Sequence, residues 1–157
     1  MNTLSEANQR WHSQLDTSYQ AFLESLTALE FSLSRKQWAA FRQCLSAHID
    51  FEQTNIEPFA SNWESNTLKL IQSDHVILNR LLPRLDKAFT QIEQAGAPRT
   101  ELVRQLDAFI KMRNVLEHHD LREMENLYPL LDEQLDSDQI EALAANMDQA
   151  RRATGKC

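Results

Sequence analysis

Four long stretches of the sequence repeat apolar residues three and four positions apart, the spacing of one face of an α-helix. They cover about residues 5–33, 34–59, 68–92 and 100–129, and a shorter fifth stretch covers about residues 137–153. Short polar segments separate them, with Ser34 as a predicted N-cap and Gly96 as a predicted helix end. Four amphipathic helices with short loops predict an all-α fold: an antiparallel up-down-up-down four-helix bundle with a short C-terminal helix.

Composition supports this fold class and excludes several functions. Valine, a strand former, occurs only at positions 76, 103 and 115. The two glycines, Gly96 and Gly155, lie far apart in the chain, which excludes phosphate-binding loops and dinucleotide fingerprints. A net charge of −7 disfavours nucleic acid and anionic membrane surfaces as partners.

The sequence also bears on the location of the protein. No apolar run approaches the roughly 20 residues that cross a bilayer, and the first residues, MNTLSEANQRW, have neither a basic start nor an apolar segment. Cys44 and Cys157 are too few for a disulfide framework and fit a reducing compartment. We therefore expect a cytoplasmic protein.

Six polar residues interrupt the apolar faces that should form the core. They are four of the five histidines and two glutamates: His12, His48, Glu52, His75, His119 and Glu123. A single histidine in such a place is usually a core residue with one hydrogen bond. An ionised carboxylate in an apolar core, however, costs several kcal/mol unless it is paired or binds a metal.

The spacing of these residues predicts that they share one layer of the bundle. In antiparallel neighbours, residues at the same height lie symmetrically about the connecting turn. Three pairs meet this test: His12 with Glu52 about residues 32–34, His48 with His75 about residues 60–66, and His75 with His119 about residues 96–98. Three separate loops therefore place all six side chains at one height.

Two of the helices each offer an imidazole and a carboxylate four residues apart, which is one helical face. Four nitrogens and two carboxylates are too many for one metal. If both glutamates bridge and one further oxygen is shared, each of two metals reaches about five ligands and keeps an open position. This mixed donor set suits iron better than calcium or magnesium, and zinc and manganese remain alternatives.

The residues around these positions resemble the hemerythrin-like (HHE cation-binding) domain family over about residues 8–132. The half-motifs HIDFEQTNIEPF and HDLREMENLYPL both place a glutamate at +4 and a proline at +10 from their first histidine, and SDHVIL and RWHSQL match the single-histidine helices. The resemblance implies a hemerythrin-like four-helix bundle over residues 5–132, with a C-terminal helix and polar tail over 133–157. It also implies two non-haem iron ions with a bridging oxo or hydroxo group, held by His12, His48, Glu52, His75, His119 and Glu123.

Oxygen-carrying hemerythrins have a fifth histidine where this sequence has Asn79. The four-His, two-Glu set is more similar to members that act in iron-sulfur repair or in iron or oxygen sensing. The resemblance thus implies a di-iron protein that binds or senses a small diatomic molecule or oxidant, such as O2, NO or peroxide. The alternatives are a di-iron oxidoreductase, an iron-sulfur repair or iron-donating stress protein, and a helical interaction module with a structural metal. The oligomeric state stays open.

Several residues near the layer have simpler interpretations. Asp16, one turn after the first histidine, is either a hydrogen-bond acceptor for that imidazole or a solvated residue. Glu57 stands where the family usually has an aromatic residue, and we expect it to be exposed. His118, Asp120 and Glu125 lie off the apolar face and are predicted to meet solvent. Three further residues are predicted to pack in the core: Trp11, Tyr19 and Cys44.

Overall fold

The computed structural model describes residues 2–155, and these residues are helical with no β-strand among them. The helices are α1 (Leu4–Thr27), α2 (Phe31–Phe51), α3 (Glu57–Ala60), α4 (Thr67–Gln94), α5 (Pro98–Asn126), α6 (Tyr128–Gln134) and α7 (Ser137–Ala153), and a π-helical turn (Glu52–Ile56) joins α2 to α3. The predicted all-α class is therefore confirmed. Within the described residues, none of the helices has the length and apolar character that crossing a membrane requires. Cys44 is buried in the core, and Cys157 lies outside the described residues.

Polar contacts at the N-terminal end of α1 explain where this helix begins and what lies against it. Thr3 and Glu6 form a capping box, in which each side chain accepts a hydrogen bond from the other residue's backbone N–H. The carboxylate of Asp132 on α6 accepts hydrogen bonds from the backbone N–H groups of Leu4 and Ser5. A carboxylate at a helix N-terminus is stabilised by the helix dipole, so α6 is held against the start of α1.

The turn between α1 and α2 comes earlier than predicted. Leu29 adopts a left-handed conformation with φ of 59°, and the N–H of Glu30 donates to the carbonyl of Ser25, five residues back. This is the usual hydrogen-bond pattern of a helix that ends at a left-handed residue, which is most often glycine. Ser34, predicted as the N-cap of the second helix, lies inside α2, and its hydroxyl donates to the carbonyl of Glu30. The prediction of a turn at 32–34 was wrong because no glycine marked the real one.

The second predicted helix, 34–59, is a composite of α2, the π-helical turn and α3. Pro58 has no N–H to donate, and in an α-helix its ring would crowd the carbonyl one turn earlier. The wider turn avoids this conflict, and the N–H of Glu57 donates to the carbonyl of Glu52, five residues back. In a π-turn, residues five apart are joined by a backbone hydrogen bond and lie closer to one face than they would in an α-helix. Glu57 is therefore returned to the face of the helix that carries Glu52.

A second proline ends the fourth long helix. α5 stops at Asn126, before the predicted end at 129, and Pro129 occupies the first turn of α6. The chain changes direction at Leu127, where φ is −113° and ψ is −68°. This change turns the side chain of Tyr128 into the core, where it is buried.

The long helices otherwise follow the predicted pattern, with one exception. α4 continues through Pro83 as a single helix. Leu106 fits the apolar spacing of α5 but is 41% exposed, whereas Phe109 and Leu116 on the same helix are buried. The core face of α5 therefore passes beside Leu106 rather than through it.

Contacts between neighbouring helices show that they run antiparallel. In each pair, the residue number falls along one helix as it rises along the other: Ser25–Ser34 and Trp11–His48 for α1 and α2, Gln91–Gln105 and Asp74–Arg122 for α4 and α5, and Tyr19–Phe109 and His12–Glu123 for α1 and α5. α7 packs on α1 and α2. Antiparallel neighbours of this length bring residues from α1, α2, α4 and α5 to one height.

Candidate metal centre

The structure brings all six predicted residues together in one buried layer. His12 is the most exposed of them, at 4%, and the other five are at 1% or less. The predicted partner of His12 needs one correction. Because the first turn is centred on Leu29 rather than on residues 32–34, His12 lies opposite His48, with ring centroids 4.7 Å apart. The prediction of a shared layer is confirmed.

Each of the four histidines points its Nε2 atom towards a glutamate. The shortest approaches are His12 to Glu123 Oε2 at 2.9 Å, His119 to Glu123 Oε1 at 2.9 Å, His75 to Glu52 Oε2 at 3.1 Å and His48 to Glu52 Oε2 at 3.5 Å. Four imidazole nitrogens thus converge on two carboxylates from four helices. Such convergence is what metal coordination requires.

The donor atoms form two overlapping groups, and within each group all of them lie within 4.8 Å of one another. The first group contains His12, His48, His119 and Glu123, and the second contains Glu52, His75, His119 and Glu123. His119 and Glu123 belong to both groups. Each of these overlapping groups could hold a metal ion.

The two glutamates are placed differently. Glu123 presents Oε1 to His119 and Oε2 to His12, as a bridging carboxylate would. Glu52 presents only Oε2 to the histidines, since its Oε1 accepts a hydrogen bond of 2.5 Å from the hydroxyl of Tyr128. From the sequence alone either glutamate could bridge two metals, and the geometry favours Glu123 for that role.

Several donor atoms in this layer are buried without a hydrogen-bond partner in the part of the chain that the structure describes, residues 2–155. They include both ring nitrogens of His48 and His119 and the Oε1 atom of Glu123. His119 Nε2 and Glu123 Oε1 lie 2.9 Å apart, yet they are not aligned for a hydrogen bond. Two ligands at right angles, each about 2.1 Å from one metal, would be separated by about 3.0 Å. Buried unpartnered polar atoms are rare and costly, so the donor set fits a metal ion.

The outward Nδ1 atoms of three histidines face carboxylates. His12 lies 3.3 Å from Asp120, His75 lies 3.5 Å from Glu57, and His119 lies 3.7 Å from Asp74. Histidines that bind metals usually donate their other N–H to such an acceptor, which fixes the tautomer and the ring orientation. His48 is the exception: no carboxylate within residues 2–155 faces its Nδ1, and its ring packs edge-on against Trp11, 4.9 Å between centroids.

Two of these carboxylates contradict the sequence predictions. Asp120 was expected to meet solvent, but it faces α1 because it follows His119 by one residue, about 100° around α5. It takes the position beside His12 that was considered for Asp16, which is exposed. Glu57 was expected to be exposed, and the π-helical turn instead directs it to His75. Predictions for other residues are confirmed: His118 and Glu125 are exposed, and Trp11, Tyr19 and Cys44 are buried.

Three further contacts were not predicted. Asn8 donates from Nδ2 to Glu123 Oε2 at 3.2 Å, Arg122 donates to both oxygens of Asp74, and Tyr128 donates to Glu52. Two of these residues had a signal in the sequence. Asn8 lies four positions before the first histidine on the same helical face, and Tyr128 directly precedes the proline of its half-motif.

The charges in the layer shift several pKa values. Burial disfavours a charged His119, but Glu123 and Asp74 outweigh it and raise its pKa well above the ordinary value. The pKa of His12 is also raised, because Glu123 outweighs burial, whereas burial lowers the pKa of His48. Burial would raise the pKa of Glu123, but the neighbouring histidines, His119 first, lower it well below the usual range. A carboxylate that stays ionised in this dry environment is ready to bind a cation.

The tyrosine of the layer is held in its protonated form. Burial and the negative charge of Glu52 raise the pKa of Tyr128 well above the ordinary value. Tyr128 therefore keeps its proton and acts as a hydrogen-bond donor to the carboxylate.

No protein-family model matches the chain, and no curated protein or solved structure matches it either. The function of the layer must therefore be argued from its own residues. Those residues establish an all-helical protein with a buried His and Glu cluster that is able to hold a metal ion.

Proposed function

We propose that this chain is a hemerythrin-like, non-haem di-iron protein that binds or senses a small diatomic molecule or oxidant, such as O2, NO or peroxide. In this proposal residues 5–132 form an up-down-up-down four-helix bundle. The metal ligands are His12, His48, Glu52, His75, His119 and Glu123. The observation that carries the proposal is the convergence of four Nε2 atoms on two buried carboxylates, with three of the imidazoles backed by a further carboxylate.

The charge around the layer supports two cations rather than one. The nearby formal charges are five negative and one positive: Glu52, Glu57, Asp74, Asp120 and Glu123 against Arg122. Two divalent cations would balance this charge when the histidines are neutral, whereas one would leave half of it uncompensated. Uncompensated charge is costly in a buried site.

The donor set supports iron and an open coordination position. Imidazole and carboxylate together suit iron, and neither donor group contains a thiolate. Bound iron would supply a redox-active centre at which a small molecule binds. The six side chains offer at most four nitrogens and four oxygens, fewer than the roughly twelve positions of two six-coordinate ions. Tyr128 holds one of those oxygens, on Glu52.

The surrounding residues limit what can reach the centre. The ligand side chains are almost completely buried, so a large substrate cannot contact them without separating the helices. A surface groove of about 580 Å³ beside α1 and α5 is lined by residues such as Asp16, Tyr19 and Arg113, and its lining includes none of the six. A ligand of a few atoms therefore fits the site better than an organic substrate.

Metal analysis and absorption spectroscopy test this proposal. Protein purified under iron-replete conditions should contain about two iron ions per chain. Anaerobic addition of Fe(II) followed by air should produce near-ultraviolet absorption. His119→Ala should lose iron and absorption, while His118→Ala, which changes the exposed neighbouring histidine, should keep both. Iron well below one ion per chain, together with no oxygen-dependent absorption, would contradict the proposal.

The same preparation separates the classes of function. Consumption of peroxide or NO beyond the stoichiometric oxidation of bound iron would indicate a di-iron oxidoreductase or a repair enzyme. A metal that raises the melting temperature but reacts with none of these molecules would indicate a structural site. Reversible binding without turnover is the outcome expected for a sensor or carrier.

A further inference from the structure

The three carboxylates behind the histidines are not held equally. The side chain of Glu57 is 13% exposed, and its Oε2 accepts a hydrogen bond of 2.8 Å from Gln72. Asp74 is 7% exposed, and both of its oxygens accept hydrogen bonds from Arg122. Both carboxylates are therefore desolvated and fixed in place.

Asp120 is held less firmly than the other two carboxylates. Its side chain is 34% exposed, and its Oδ1 atom is buried without a hydrogen-bond partner among the described residues, as is Oε1 of Glu57. Unlike Glu57, however, Asp120 accepts no hydrogen bond at its other oxygen from a side chain within residues 2–155. It also stands near Asp16, whose like charge repels it. A carboxylate that no neighbouring side chain anchors is free to turn towards water, so Asp120 holds the ring of His12 less firmly than Glu57 holds that of His75.

Both anchored carboxylates serve one side of the layer. The ring of His119 is 4.9 Å from that of His75, compared with 5.7 Å from His12 and 6.2 Å from His48. The pair His75 and His119 thus has two buried, anchored acceptors. The pair His12 and His48 has one partly exposed, unanchored acceptor, and no carboxylate among the described residues faces Nδ1 of His48, whose ring packs beside Trp11.

We propose that the two metal positions are unequal, that the one beside His75 binds its ion first and more tightly, and that Glu57 and Asp74 are the positioning residues responsible. This inference rests on the proposed function, in which the layer holds two ions. An acceptor at Nδ1 holds the ring in the orientation needed for binding and makes Nε2 a better donor, and loss of such an acceptor typically weakens metal binding about 10–100-fold. His75 also shares its side of the layer with Glu52 Oε2, a carboxylate oxygen fixed by the hydrogen bond of Tyr128 to Oε1.

In a direct test, one equivalent of Zn²⁺ is added to protein from which a chelator has first removed bound metal. Anomalous scattering at the zinc edge from crystals of this preparation should show a peak beside His75 and Glu52. A single peak beside His12 and His48, or equal peaks on both sides, would overturn the inference. A protein that binds no zinc and no iron would contradict the proposed function instead.

Calorimetric titration with Zn²⁺ tests the positioning residues. Glu57→Gln, which keeps the size of the side chain, should weaken the tighter step about 10–100-fold. Asp120→Asn should weaken the weaker step, by less than tenfold, and Glu64→Gln, a change at an exposed carboxylate, should alter neither. If Asp120→Asn weakens the tighter step as much as Glu57→Gln does, the inference fails. Circular dichroism of each variant checks the fold, and the crystal test above uses only the unchanged protein.

Discussion

Residues 48–58 and residues 119–129 are two versions of one half-motif, and the difference between them that bears on the buried layer lies at +9. Each begins with a histidine, has a glutamate at +4 and a proline at +10, and loses regular helical geometry shortly before that proline. In both, the residue at +9 is turned back towards the layer. That residue is Glu57 in the first segment and Tyr128 in the second.

At +9, a similar change in backbone geometry brings two different side chains towards the layer, and the two side chains make different kinds of contact. Tyr128 donates a hydrogen bond to the carboxylate of the other segment, Glu52. Glu57 lies beside His75 on α4 instead, and the corresponding donor to Glu123 comes from Asn8 on α1. Each central carboxylate therefore has a neutral donor, but only the first segment adds a carboxylate behind a histidine from its +9 position.

The largest expected effect is a difference in metal content between the alanine variants of the two central glutamates. Since both oxygens of Glu123 face histidines and only one oxygen of Glu52 does, Glu123→Ala should disturb both metal positions and Glu52→Ala mainly one. Elemental analysis after reconstitution should find about one ion per chain in Glu52→Ala and almost none in Glu123→Ala.

Glu125→Ala is the matched control, because Glu125 is exposed on the same helix as Glu123. It should retain the metal content of the unchanged protein. Equal metal loss in Glu52→Ala and Glu123→Ala would show that the two segments contribute alike. It would contradict the prediction that Glu123 serves both metal positions.

An intermediate effect concerns the hydroxyl at +9 of the second segment. Tyr128→Phe should lower the free energy of unfolding of the metal-free protein by about 2 kcal/mol, because a buried charged acceptor loses its donor. Tyr19→Phe removes another buried hydroxyl, whose acceptor is the neutral carbonyl of Phe109, and should cost about 1 kcal/mol. Urea denaturation monitored by circular dichroism measures both values. Equal decreases in the free energy of unfolding would mean that losing the hydrogen bond to Glu52 costs no more than losing one to a neutral carbonyl.

The smallest expected effect concerns α7, which packs on α1 and α2 and so on the side of the first segment. Asp148 on α7 accepts hydrogen bonds from Arg10, which lower the pKa of its carboxyl. A depressed folded-state pKa contributes stability above the unfolded value of about 4, and that stability is lost as the pH falls through the folded pKa. Asp148→Asn should therefore reduce the free energy of unfolding by about 1 kcal/mol at pH 7 and by progressively less below pH 4.

Unfolding curves between pH 7 and pH 3 give this dependence. Glu141→Gln, at an exposed position of the same helix, is the control and should show no comparable change. A loss for Asp148→Asn that stays constant down to pH 3 would contradict the assigned role of the ionised carboxylate.

The helices and the six central residues were predictable because their signals are local. The spacing of apolar residues directly indicates which face of a helix meets the core. Pairing residues that lie symmetrically about a turn still predicts the right layer when the position of the turn is wrong by a few residues. The first turn demonstrates this tolerance. It was placed at 32–34 instead of about Leu29, so His12 was paired with Glu52 rather than His48, yet both remain in the predicted layer.

The residues behind the histidines were less predictable because their direction depends on distortions and neighbours. Glu57 was assigned to solvent on the assumption of a regular α-helix, and the π-helical turn rotates it inward. Asp120 was assigned to solvent because it lies off the apolar face of α5, but α1 passes close to that side. Neither the widened turn nor the position of the neighbouring helix can be read from apolar spacing.

The sequence by itself determined that the chain is helical and that four histidines and two glutamates lie on core-facing stripes at one height. These follow from the helical repeat and from loop symmetry, which depend on positions along the chain. Only the tertiary structure decided which oxygen faces which histidine, that Tyr128 holds Glu52, and that anchored carboxylates gather behind His75 and His119. Such contacts join side chains from different helices, and their geometry depends on how those helices pack.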